Sequence, residues 1–248
     1  MPVTDSKKSV RFYGVGVGPG DPMLLTLKAD ETIYMADVLA YISNAQGYSL
    51  AKDIARNSIA RKAAGSFLEV SIPLTMDTER SAINKMYDQA ATEISQHLEQ
   101  ERNVVFLCEG DPLFYGSFAY LIERLGSHYN IEIVPGICSI HAAAAASQIP
   151  LGLLKEKIAI FSGRHSRNEI FDALQNFENI VILKAGRSRA EIVQLIADAD
   201  RIQDACYIEY ATQSQQKVVK DISQLSTDAG PYFSLFLVNA SRAYHSDE

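Results

Sequence analysis

Residues 11–22, RFYGVGVGPGDP, run from alternating apolar positions into a turn built of Gly14, Gly16, Gly18 and Gly20 around Pro19, closed by Asp21 and Pro22. An apolar run that ends in a glycine-rich turn, followed by a helical stretch at 26–35 and a second apolar run at 38–42, has the rhythm of a βαβ unit and predicts a parallel sheet. The turn invites comparison with the dinucleotide fingerprint GxGxxG, in which a helix N-terminus holds a pyrophosphate. The match fails. Counted from Gly14 the third glycine position is Pro19, and counted from Gly16 it is Asp21, which repels phosphate. The second apolar run also ends in Ser43-Asn44 instead of the acid expected to hold a ribose. A nicotinamide-dependent oxidoreductase is therefore the disfavoured alternative.

Outward from this segment the alternation continues. A strand at 67–72 precedes an amphipathic helix over about 78–100, in which Ile83, Met86, Tyr87, Ala90, Ile94 and Leu98 share one face and the charged EQER closes the end. The run 104–108 is wholly apolar and leads into EGDPLFYGS and a helix at 118–125; the run 131–134 leads into PGICS and the small helix HAAAAAS. Three strands thus end in loops carrying Pro, Gly and an acid or hydroxyl. In open α/β sheets ligands bind outside the carboxyl ends of strands, so these loops are expected to converge. After Pro150 the rhythm restarts, with strands at 157–162, 179–184, 205–210 and 233–238. No long helix fits between Tyr210 and Phe233, which implies hairpin pairing and a mixed sheet. The expected fold is two α/β domains, 1–152 with a mainly parallel sheet and 153–248 with a mixed one, the boundary falling near 151–156.

The chain has 248 residues, 47% of them hydrophobic, enough for a buried core. No apolar run approaches the roughly 20 residues that span a bilayer, and MPVTDSKKSV has no signal-peptide core, so a cytoplasmic location is expected. The formal charge of −7 disfavours a nucleic-acid partner, because neutralising phosphates needs a basic surface. Cys108, Cys138 and Cys206 form no CxxC pair, and His97, His128, His141, His165 and His245 show no HxxxH spacing, so no metal site is expected. There is no GxSxG elbow either, and nothing demands covalent catalysis.

The loops suit a different ligand chemistry. Glu109 and Asp111 stand at the end of a buried strand, where acids favour a ligand with positive charge or hydroxyls; a sulfonium nucleoside fits them better than a nucleotide phosphate. The bland alternative is a helix-capping Asp111 and a solvated Glu109. Ser139 stands at a natural N-cap, and the five alanines after His141 give a helix face against which an adenine ring or a methionine moiety lies flat.

Taken together, GVGVGPGDPMLLTLKA, VVFLCEGDPLFYGSF and VPGICSIHAAAAA resemble the three glycine-rich motifs of the tetrapyrrole methylases, in that family's order and spacing. ILKAGR, YIEYATQSQQKVV and PYFSLFLV are similar to its later motifs, so the resemblance covers nearly the whole chain. CEGDPLFYGSF and LLTLKA, with IPLTM, most resemble members acting on precorrin-2 at carbon 20. Two departures are Cys138, where the family often has threonine, and Glu101-Arg102-Asn103, which replaces a glycine-led turn. The resemblance implies S-adenosylmethionine folded in a cleft between two domains, and a homodimer with its tetrapyrrole, precorrin-2 or cobalt-factor II, in an adjoining trough. By motif position it assigns Pro19, Gly110, Asp111, Pro112, Tyr115, Gly116, Ser139, Ile140, Lys184, Ala185, Ala211 and Thr212 to the cofactor. A substrate with many carboxylates calls for cationic donors, and Arg164, Arg187 and Arg189, which follow strand ends, are the candidates. Methyl transfer from a sulfonium is a direct displacement in which orientation outweighs any single base. The sequence names no base. A non-catalytic tetrapyrrole carrier needs the trough but not three cofactor loops.

Overall fold

A computed structural model of the chain describes residues 10–74 and 80–240. Thr75 and Met76 of IPLTM, Thr78 and Glu79 at the start of the helix expected over about 78–100, and His245 lie outside them. The fold divides between Cys138 and Ser139 into two compact units.

The first unit follows the alternation read from the sequence. Its elements are β1 (Arg11–Gly16), α1 (Leu27–Met35), β2 (Val38–Ser43), α2 (Leu50–Ile54), α3 (Arg56–Ala60), β3 (Leu68–Pro73), α4 (Arg80–Glu99), β4 (Val104–Cys108), α5 (Phe118–Leu125) and β5 (Asn130–Val134). The strands form one sheet in the order β3-β2-β4-β1-β5, every pair parallel. Side chains alternate across a strand, and both faces of this sheet are covered. Phe12, Val38, Ala40, Val104 and Phe106 face one core with Ile94 and Leu98 of α4 and Phe118 and Leu121 of α5. Val15, Leu39, Tyr41, Val105 and Leu107 face the other, with Ile33 of α1 and Ile54 of α2. This two-sided burial is why β4 reads as an unbroken apolar run. The stripe expected on α4 is the buried one: Met86, Tyr87, Ala90, Ile94 and Leu98 are all inside, and Ile83 packs partly buried against them. Each large side chain so buried contributes about 1.5–3 kcal/mol.

The second unit contains α6 (Ser139–Ser147), β6 (Ile158–Ser162), α7 (Arg167–Asn176), β7 (Asn179–Leu183), α8 (Arg189–Asp198), β8 (Ala205–Glu209), β9 (Lys217–Val219) and β10 (Ser234–Asn239). The strand order is β6-β7-β10-β8-β9; only β6 and β7 are parallel, and β10 runs antiparallel between β7 and β8. The hairpin expected after Tyr210 is real, with β8 and β9 antiparallel. α7 begins at a reciprocal capping box, the Ser166 hydroxyl accepting from the Glu169 amide and the Glu169 carboxylate from the Ser166 amide. With α8 it covers Ile180, Ile182, Tyr207 and Phe236.

The division at Cys138/Ser139 differs from the boundary expected near 151–156, and the reason is α6. It packs on β8 and β10, so the helix belongs with the second sheet. The connection after it is pinned there too: Asn179 Nδ2 donates to Glu156 at 3.0 Å and Asn239 Nδ2 to the Pro150 carbonyl at 2.5 Å.

Gly14 of β1 faces the Phe118 ring, where an added Cβ would stand 2.5 Å from Cδ1 and 2.6 Å from Cζ. Gly14→Ala overpacks this core, and urea titration is expected to show a loss of about 1–3 kcal/mol.

Candidate functional site

In a sheet whose strands are all parallel, every carboxyl end lies on one edge, and β4, β1 and β5 are neighbours. Their loops therefore meet, and they meet through bare backbone. Gly18 and Gly110 pair as a short antiparallel bridge, the Gly110 amide donating to the Gly18 carbonyl at 2.8 Å and the Gly18 amide to the Gly110 carbonyl at 3.3 Å. A Cβ on Gly16 would lie 2.5 Å from the Gly110 carbonyl oxygen and 2.6 Å from the Gly136 Cα, so no side chain fits between these loops. The expected convergence of 14–22, 109–117 and 135–138 is what the structure holds.

Asp111 locks the arrangement. One carboxylate oxygen accepts from the Leu113 amide at 2.9 Å and the other from the Gly136 amide at 3.1 Å. It thus joins the second loop to the third and caps no helix; α5 starts only at Phe118. Asp21 has a local task of the same kind, accepting from the Met23 amide at 2.8 Å and capping the 3-10 turn Pro22–Leu24. Pro19 and Pro112 are buried, Glu109 is exposed, and Tyr115 is exposed with a left-handed φ of 53°. Gly110 has φ of +66°, and a Cβ there would be in ordinary van der Waals contact with the Ile137 carbonyl at 3.9 Å, so the left-handed turn and not crowding is what calls for glycine. Burial and the nearby acids push the Cys108 thiol well up, and burial and Asp111 push the Cys138 thiol up, so both stay protonated.

A fourth loop stands on this edge that the sequence reading missed. Residues 44–49 follow β2, next to β4, and are held by Asn44, whose side-chain oxygen accepts from the Gln46 amide at 3.0 Å and the Tyr48 amide at 2.9 Å. Partial burial raises the Tyr48 pKa, with Asp53 and Glu109 adding to it. Parallel strand order was the signal available, because it sends the loop after β2 to the same edge.

In the second unit the carboxyl ends of β6, β7 and β8 share an edge with the start of β10. Lys184 and Ala185 follow β7; Ala211 and Thr212 follow β8. Lys184, Tyr210 and Thr212 have φ of 54°, 49° and 67°. Non-glycine residues in this region cost about 1–2 kcal/mol and gather where function demands them. The turns are bonded to the start of β10 and the residue before it, the Ala185 amide donating to the Ser234 carbonyl at 3.2 Å and the Tyr210 amide to the Phe233 carbonyl at 2.8 Å. Lys184 Nζ lies 5.7 Å from the Tyr232 ring centre. Ala185 and Ala211 are buried. Ser139 is half-buried in the first turn of α6 and Ile140 is buried behind it.

The three arginines separate. Arg164 and Arg187 are exposed. Arg189 is only 8% exposed, paired with Glu209 at 3.3 Å and donating through Nε to the Asp228 carbonyl at 3.0 Å, so its side chain is engaged inside the second unit. Among the described residues no three His, Cys, Asp or Glu side chains group as metal ligands, and no helix is long and apolar enough to cross a membrane.

The family model for tetrapyrrole (corrin/porphyrin) methylases matches residues 11–225. A cobalamin biosynthesis protein CobIJ of Mycobacterium tuberculosis is 35% identical over 241 residues, 93% of this chain, which spans 46% of that relative's length. A precorrin-2 C(20)-methyltransferase of Sinorhizobium sp. is 32% identical over 238 residues, 92% of this chain and 94% of the relative. Among solved structures, the uroporphyrin-III C-methyltransferase of Thermus thermophilus in complex with S-adenyl homocysteine superposes with a TM-score of 0.65 at 22% identity, over 94% of this chain and 99% of that one. The two-sheet α/β fold is thus a known one, and this chain belongs to the tetrapyrrole (corrin/porphyrin) methylase family.

Proposed function

We propose that the chain transfers a methyl group from S-adenosylmethionine to carbon 20 of precorrin-2, or of cobalt-factor II, in cobalamin synthesis, acting as a cytoplasmic homodimer. The observation that carries this reading is the glycine interlock at the carboxyl edge of the first sheet, in a chain 32% identical to a precorrin-2 C(20)-methyltransferase over 94% of that enzyme's length. The Mycobacterium relative and the S-adenyl homocysteine complex of the fold neighbour point the same way.

The first unit's loops fit the sulfonium nucleoside. By motif position the cofactor residues here are Pro19, Gly110, Pro112, Tyr115 and Gly116, of which Tyr115 is exposed, Gly110 and Gly116 are half-buried, and Pro19 and Pro112 are buried behind them. Asp111 gives these loops a negative charge while its own oxygens hold two of them together. Ser139, Ile140, Lys184, Ala185, Ala211 and Thr212 are cofactor residues by motif position, the last four on strained or buried turns of the second unit. S-adenosylmethionine supplies an electrophilic methyl group; the chain's residues orient it and keep water out. Arg164 and Arg187, both exposed, are the proposed partners of the macrocycle's carboxylates.

The decisive experiment is anaerobic incubation with S-adenosylmethionine and either macrocycle, following product mass and S-adenosylhomocysteine release. One added methyl on either macrocycle supports the reading; cofactor binding without methylation overturns the substrate, and absence of cofactor binding overturns the whole. Asp111→Asn cannot accept two amide bonds in the same orientation and is expected to lose about 1.5–3 kcal/mol of stability, with weaker S-adenosylhomocysteine binding measured by calorimetry. Arg164→Ala and Arg187→Ala are expected to raise the macrocycle KM about two- to fivefold and leave cofactor affinity unchanged; an unaltered KM removes that arginine.

A further inference from the structure

We infer that Arg189 is a positioning residue: with Glu209 it sets the two strained turns that the second unit contributes to methyl transfer, without touching cofactor or substrate. The inference rests on the cofactor reading of Lys184, Ala185, Ala211 and Thr212 given above.

Arg189 opens α8, immediately after the turn that follows β7, and its amide donates to the Gly186 carbonyl at 3.3 Å. Its side chain turns inward and joins three segments. Nη1 pairs with Glu209 at the end of β8, one residue before left-handed Tyr210. Nε donates to the Asp228 carbonyl, in the stretch leading to β10. The guanidinium also lies 5.7 Å from the Tyr207 ring centre, and an added Cβ on Gly230 would stand 3.1 Å from Nη1. The stretch it holds is itself bonded to both turns, the Gly230 amide donating to the Gly186 carbonyl at 2.8 Å and the carbonyls of Ser234 and Phe233 accepting from Ala185 and Tyr210. Left-handed Lys184 and Tyr210 are therefore each one backbone hydrogen bond away from the segment that Arg189 anchors.

The energetics separate this role from simple stabilisation. The two side chains are 9% and 14% exposed, and burying both charges costs desolvation that their attraction does little more than offset. Replacing a buried pair by apolar residues of similar size is often neutral or stabilising. What apolar residues cannot supply is a directional bond to Asp228 and a fixed distance to Glu209.

The test compares wild type, Arg189→Lys and the double variant Arg189→Met/Glu209→Leu. Melting temperature, amide hydrogen exchange at Ala185, Tyr210 and Gly230, S-adenosylhomocysteine Kd and the KM for each substrate are measured. The double variant is expected to melt close to wild type, exchange those three amides at least tenfold faster and bind S-adenosylhomocysteine at least tenfold more weakly, with the macrocycle KM within twofold. Arg189→Lys keeps the charge but loses the Nε donor and falls between the two. Unchanged exchange and Kd in a folded double variant overturn the inference, and a rise in the macrocycle KM alone makes Arg189 a substrate ligand instead. If the double variant does not fold, Arg189→Lys decides by the same exchange readout. Should wild type bind no S-adenosylhomocysteine, the proposed function fails while the exchange arm, which needs no ligand, still judges the positioning role.

Discussion

The first unit depends on an approach of backbone to backbone that no side chain permits. Adjacent parallel strands lie about 4.8 Å apart, so the loops leaving β4, β1 and β5 arrive in one place with almost no room between them. Glycine at 16 and 136 lets them touch, and glycine at 110 supplies the positive φ on which the second loop turns. Close contact also buries polar backbone, which must be satisfied. The Gly18–Gly110 bridge takes one set of amides and carbonyls, and the Asp111 carboxylate takes two more amides. The covered sheet, with α4 and α5 on one face and α1 and α2 on the other, holds the strand ends rigid enough for this fit.

The second unit solves its own edge differently. Its sheet is mixed, so the edge gathers the turns that follow β6, β7 and β8 together with the segment that enters β10. Such segments diverge in direction and are joined by bonds across them. Here those bonds run through backbone pairs at Ala185, Tyr210 and Gly230 and through a buried arginine that reaches two further segments. Strained φ values at Lys184 and Tyr210 persist because these contacts over-determine them.

Much of the fold was legible in the chain. The runs 104–108 and 118–125 coincide with β4 and α5, and the other long strands agree to within a residue or so, because two-sided burial leaves unbroken apolar stretches. Short elements were not legible. α2 and α3 have five residues each around a break at Ala55, too few for a helical period to show, and β9 is three residues on a partly polar edge. Glycine and proline with an acid or hydroxyl at three strand ends marked the loops that converge, while the loop at 44–49 carries no such signature and is revealed only by strand order.

By itself, then, the sequence determined the periodicity of its strands and helices, the places where backbone must bend or approach closely, and the family to which those places belong. These are local properties, written in side-chain volume and φ preference. Only the tertiary structure decided what the polar groups do. In the chain Asp111 reads as a helix cap or, by resemblance, a cofactor residue, and Arg189 as a candidate for the substrate's carboxylates. In the fold Asp111 meets Gly136, 25 positions away, and Arg189 meets Glu209 and Asp228, 20 and 39 positions away. A charged group's role is set by which partner reaches it first across space, and that distance is a product of folding.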